Sequence, residues 1–140
     1  MKPIYQTAFG GPDSDDVGNC FPSCLASILE CDLADVPHFY KDRSESNKEC
    51  FKKICQWMTS QGLVYLGYDY IADDSFMDAL EGCYVVLSGP SPRGDYYHSV
   101  VGKIINRKPT IVHDPHSPRT DFSGSLKAIE FIGLLLRTFT

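Results

Sequence analysis

Gly18-Asn19-Cys20-Phe21-Pro22-Ser23-Cys24-Leu25-Ala26-Ser27-Ile28-Leu29 reads as a loop running directly into an amphipathic helix. Asn19 is a helix-capping residue, Pro22 fits the first turn, and Leu25, Ile28 and Leu29 form an apolar stripe. The Cys20 sulfur then sits at a helix N-terminus, where unpaired N–H groups and the positive dipole end favour thiolate over thiol. A thiolate is a catalytic nucleophile once a base and an oxyanion site adjoin it. The reading therefore turns on whether the chain returns a histidine and an acid to Cys20.

Upstream, residues 1–18 form an extended arm, with 4–9 a short strand before an acidic loop. Downstream, the helix at 21–30 gives way to a turn at Cys31-Asp32-Leu33, and Pro37 disfavours helical geometry at Val36. A second helix is expected over 47–61. Phe51, Ile54, Cys55, Trp57 and Met58 are helically spaced, and Gly62 stops it. Alternation over 63–70 predicts a strand, and Asp74 or Ser75 caps a short helix at 76–80. The chain then turns β-rich. Strands are expected over 83–88 and 98–105, and the turn at Asn106-Arg107-Lys108-Pro109 makes a hairpin with 110–113. A loop spans 114–125, and the segment 128–138 suits a strand or a helix, the strand being preferred. Helices first and antiparallel strands second predict an α+β fold in a single domain over residues 1–140.

The chain has 140 residues, with a hydrophobic fraction of 43% that suits a globular core. No apolar run approaches the roughly 20 residues of a membrane span, and the start of the chain has no secretory-signal pattern. A net charge of −5 without a long basic stripe argues against nucleic acid as the partner. The cluster Lys41, Arg43, Lys48, Lys52 and Lys53 is interleaved with acids and reads as a solvated face. Six cysteines without a secretory signal read as reduced thiols in a cytoplasmic setting. Cys24, Cys50, Cys55 and Cys83 are expected to be small buried hydrophobes.

Three residues form the expected constellation: Cys20, His98 and Asp114. His98 opens a strand after a Gly/Pro loop. Asp114 follows the next strand, so a hairpin returns it to the same end of the sheet. The histidine moves the proton and the acid orients the imidazole. Arg93, Tyr97 and His116 are expected at the rim as substrate contacts, and Phe21 beside the sulfur. His38 reads as a loop-packing residue. No cofactor is called for.

These segments carry a resemblance. Asn19-Cys20-Phe21-Pro22-Ser23-Cys24-Leu25-Ala26 resembles the Asp-Cys-Gly-x-Ala-Cys-Leu-Ala region of bacteriocin-processing, papain-like cysteine peptidases. His98-Ser99-Val100-Val101 and Asp114-Pro115 are similar to that family's His-x-Val-Val and Asp-Pro elements. The chain also resembles small bacterial and phage proteins carrying Gln-Thr-x-Phe-Gly, Gly-Asn-Cys, Val-Pro and His-Asp-Pro segments. The resemblance implies a papain-like fold, with N-terminal helices on a C-terminal sheet. It further implies Cys20 as nucleophile, His98 as base and acid, Asp114 as orienter, and a peptide or protein as substrate. Its oxyanion glutamine maps best onto Gln6, at a longer distance from the cysteine than the family uses. Asn19 and the Cys20 N–H are the fallback donors. The glycine usual after the cysteine is Phe21 here. No attached transporter is expected, so the resemblance does not imply peptide export.

Two other readings remain open. The first is a catalytically idle papain-like module that binds a peptide or small ligand, favoured by Phe21 and the displaced Gln6. The second is a zinc-stabilised domain using Cys20, Cys24, His113 and His116.

Overall fold

The computed structural model describes residues 1–11, 16–72 and 75–139. Helix α1 (Cys20–Leu29) begins at the expected cysteine. Its serine hydroxyls are satisfied internally: Ser23 donates to the Asn19 carbonyl at 2.8 Å, and Ser27 to the Ser23 carbonyl at 2.7 Å. The helix ends at Glu30, whose left-handed backbone (φ 56°) lets its N–H bond the Ala26 carbonyl. A short 3₁₀ turn (Leu33–Asp35) follows, and Val36 before Pro37 is extended, as the proline requires. Helix α2 (Asn47–Ser60) is opened by a capping box between Ser46 and Glu49 and is followed by Gly62 at φ 72°.

Among the described residues five strands form one sheet: β1 (Leu63–Asp69), β2 (Tyr84–Pro90), β3 (Tyr97–Ile105), β4 (Lys108–His113) and β5 (Phe131–Arg137). Their order is β1-β5-β2-β3-β4 and every pairing is antiparallel. The fold is thus α+β, as expected, with the last strand inserted between the first and second. Strand alternation splits the core in two. Val86 and Val101 pack with Leu25, Ile54 and Met58 under the helices. Val85, Leu87, Val100, Ile104 and Ile132 pack with Met77 and Leu80, around the short helix α3 (Phe76–Ala79). α1 lies across β2 and β3, and α2 lies against β1. Each fully buried aliphatic side chain in these layers contributes about 1.5–3 kcal/mol.

Several local expectations are corrected. Residues 4–9 form no strand and bend at Thr7, their backbone and that of Lys2 before them being hydrogen-bonded elsewhere. Lys2 N–H donates to the Ser27 carbonyl (2.9 Å), Ile4 N–H to Ser27 Oγ (3.0 Å) and Gln6 N–H to the Pro115 carbonyl (2.8 Å). The hairpin turn is shorter than expected. Asn106 (φ 51°) and Arg107 (φ 64°) make the tight left-handed pair, and Pro109 sits inside β4. Proline is tolerated there because β4 is an edge strand. Glu81 accepts the N–H groups of both turn residues, at 2.8 and 3.0 Å. Cys24 and Cys50 are buried, but Cys55 is only half-buried and Cys83 is exposed just before β2. The short helix has no side-chain cap from Ser75, and Asp74 lies outside the described residues. No helix among the described residues is long and apolar enough to cross a membrane.

Candidate active site

Asp114 follows β4 and His98 lies near the start of β3, so the β3–β4 hairpin brings them together at one end of the sheet. His98 Nε2 is 2.8 Å from Asp114 Oδ1, and both residues are buried. Oδ1 also accepts the His116 N–H at 2.9 Å, closing a turn at Pro115 that fixes the carboxylate. With Nε2 occupied by the acid, Nδ1 is the ring nitrogen left for Cys20, whose side chain lies against the imidazole. Cys20 itself is half-buried and opens onto the cleft.

The electrostatics follow from this arrangement. Burial alone would lower the pKa of His98, but the hydrogen bond to Asp114 and the adjacent Cys20 overcome it and raise it to about 8. Burial alone would raise the pKa of Asp114. The bonds from His98 and the His116 N–H, with the Ser125 hydroxyl nearby, hold it well below the usual carboxylate range instead. His116 moves the other way: burial first, then the Arg93 charge, lowers its pKa. Cys24, one turn along α1, is shut in the core, and burial pushes its thiol well up. It is a packing residue.

Gln6 reaches the site despite lying fourteen residues before Cys20. The intervening loop is pinched at its base. Asn19 N–H donates to the Ala8 carbonyl at 3.2 Å, and a Cβ on Gly10 would stand 2.8 Å from the Gly18 nitrogen. The two backbones approach that closely only because both residues are glycine. Gln6 is buried and lines the cleft with Cys20 and His98. One N–H of its amide donates to the Ala8 carbonyl at 3.0 Å, and among the described residues the buried Oε1 has no hydrogen-bond partner.

Asn19 does something other than expected. Its side chain neither caps α1 nor lines the cleft. Oδ1 accepts the Thr7 and Ala8 N–H groups, each at 3.0 Å, and Nδ2 donates to Thr7 Oγ1 at 3.0 Å. It is a brace that fixes the arm carrying Gln6. His38 and Arg43 hold the other side of the same loop, through Nε2 to the Val17 carbonyl (2.9 Å) and Nη2 to the Asp16 carbonyl (2.7 Å).

The cleft encloses about 950 Å³. Phe21, Arg93, Tyr97 and His116 all line it, as expected. The Phe21 ring is packed edge-on against Phe39, Tyr40 and Tyr65. Tyr97 is held by a 2.8 Å hydrogen bond to Glu130 and by the Phe131 ring. Tyr65 lies across Gly133, where a Cβ would fall 2.1 Å from its hydroxyl, and so forms part of the cleft wall.

The four residues of the zinc reading are not gathered. His113 is buried with Nε2 at 2.7 Å from the Ile4 carbonyl, and Cys24 is enclosed in the core. Among the described residues no group of three or more His, Cys, Asp or Glu could hold a metal ion. Two residues beside Asp114, Arg119 and Ser125, escaped sequence reasoning, and His113, read there as a candidate zinc ligand, instead braces the arm. Arg119 and Ser125 sit in a Ser/Pro loop without periodicity, so only the tertiary fold brings them in. No protein-family model, curated protein or solved structure matches the chain.

Proposed function

We propose that this chain is a papain-like cysteine hydrolase or acyl transferase acting on an amide, peptide or isopeptide bond. The observation that carries the reading is the buried 2.8 Å His98–Asp114 pair standing against Cys20 at the head of a helix, inside an open cleft. Cys20 gives its proton to His98 and its Sγ attacks the substrate carbonyl carbon, while the carbonyl electron pair moves onto oxygen. The Cys20 N–H at the start of α1 and the Gln6 amide are the donors for that oxyanion. When the tetrahedral intermediate collapses, the C–N bond breaks and His98 gives its proton to the leaving amine. A thioester remains. Water, or an acceptor amine, then loses a proton to His98 and attacks the thioester carbonyl, releasing Cys20. Asp114 holds the imidazole in the tautomer this shuttle needs. An open cleft of this size suits an extended peptide or a protein segment.

The idle binding module draws support from one feature: half of the Gln6 donor capacity is spent on Ala8. Alkylation separates the two. Mass-spectrometric mapping of iodoacetamide adducts across pH 5–9 is expected to show Cys20 reacting first, and still rapidly at pH 6. His98→Ala should abolish that advantage over Cys55. Slow labelling of Cys20 that ignores His98 would overturn the enzyme reading.

A further inference from the structure

Asp114 has two oxygens, and only one is explained by the triad. Oδ1 takes the bonds from His98 and the His116 N–H. Oδ2 is buried and has no hydrogen bond among the described residues. Arg119 stands against it, with Nη1 at 3.5 Å, and the uncharged Ser125 hydroxyl is beside the same carboxylate. The guanidinium is itself pinned, because its Nε donates to the Asp121 carbonyl at 2.7 Å. The Asp114 side chain is 0% exposed and that of Arg119 30% exposed, so the pair is only partly screened by solvent. Asp121 in turn accepts the Ser123 N–H at 2.9 Å, so the segment bearing the arginine is internally braced.

Resting on the function proposed above, we infer that Arg119 is a positioning residue of the site. Its guanidinium backs the buried Asp114 carboxylate, fixing which oxygen meets His98 and drawing off part of the charge that holds the imidazole proton. A bare buried carboxylate would grip that proton hard, whereas a shared one releases it. A proton held too tightly slows the return to the leaving amine, since an acid works best near the operating pH. The surroundings of His98 supply no other cation in ion-pair contact with Asp114 among the described residues. Cys20 and Cys24 face it from α1. Arg93 comes from the β2–β3 loop, and His116 from the turn after Asp114.

The test is a histidine-ring NMR titration of the full chain, which reads His98 whether or not a substrate is known. Wild type is expected to titrate near 8. Arg119→Gln, which removes the charge but keeps a donor for the Asp121 carbonyl, should move the His98 midpoint upward by about half a pH unit or more. Arg119→Lys should restore most of the wild-type value. An Arg119→Gln midpoint that is unmoved or lower, with only a reduced Tm, would make Arg119 a loop brace and overturn the inference. Arg119→Met, which keeps the packed stem, gives the same discrimination if the glutamine variant does not fold. Cys20 alkylation in the same variants reports separately. His98-dependent labelling at pH 6 in wild type upholds the cysteine-enzyme reading, whatever the arginine does.

Discussion

Cys20, His98, Asp114 and Gln6 are each defined by what they touch. Asp114 keeps His98 in one orientation through the 2.8 Å bond, and an amide at 114 would present a donor as readily as an acceptor. Asp114→Asn should therefore lower turnover of an activated ester or peptide by on the order of 10²–10⁴-fold. Cys20 should remain accessible to small electrophiles. Gln6→Ala should cost about 10²–10³ in kcat and leave iodoacetamide alkylation of Cys20 nearly unchanged, because alkylation develops no oxyanion. A kcat insensitive to Gln6 would move the oxyanion site to backbone donors alone.

At the scale of elements, the N-terminal arm and the β3–β4 hairpin determine where those residues meet. The arm is fastened to α1 through Ser27 and to the end of β4 through His113, whose ring donates to the Ile4 carbonyl at 2.7 Å. His113→Ala leaves that carbonyl with only the longer 3.4 Å bond from the Ser27 hydroxyl, at a cost of about 1 kcal/mol or more. Faster hydrogen exchange at the Ile4 and Gln6 amides, together with a lower kcat, is the expected signature. Unchanged exchange there would mean that the arm does not depend on His113. The sheet is equally demanding at Gly89, where a Cβ would stand 1.8 Å from the Ala128 carbonyl oxygen. A backbone atom cannot step aside as a flexible side chain can. Gly89→Ala should destabilise by about 3 kcal/mol or more, read as a fall in the urea midpoint.

For the whole molecule, the buried pair couples stability to pH. Asp114 has a depressed pKa, so its contribution is complete above the unfolded value of about 4 and is lost as pH falls toward its folded value. His98 has a raised pKa, so its contribution is complete below about 6.5 and is lost as pH rises through about 8. Tm measured from pH 2 to 9 should peak between those limits. The acid-side fall should be shallower in Asp114→Asn. An acid limb identical in the variant would mean that other carboxylates govern acid unfolding.

Local signals in the chain were enough for the helix at Cys20, the β-rich second half and the pairing of His98 with Asp114. A helix start, a strand and a hairpin are written in near-neighbour residues, and a hairpin sets its own register. The capping box at Ser46 and Glu49 was equally local, although the apolar spacing of α2 overshadowed it. Other features are absent from any short window. Asn19 reads as a cap in sequence, yet it braces the arm, because the Thr7 and Ala8 N–H groups arrive beside it only after the loop is pinched at Gly10 and Gly18. Nothing near residue 131 says that the last strand enters between β1 and β2. Arg119, facing an oxygen of a buried carboxylate, carries no motif at all. Sequence determines which elements form, through backbone sterics and apolar period. Tertiary structure alone decides which polar groups are left to satisfy one another once those elements exclude water, and that sets the partners of Asp114, Gln6 and Asn19.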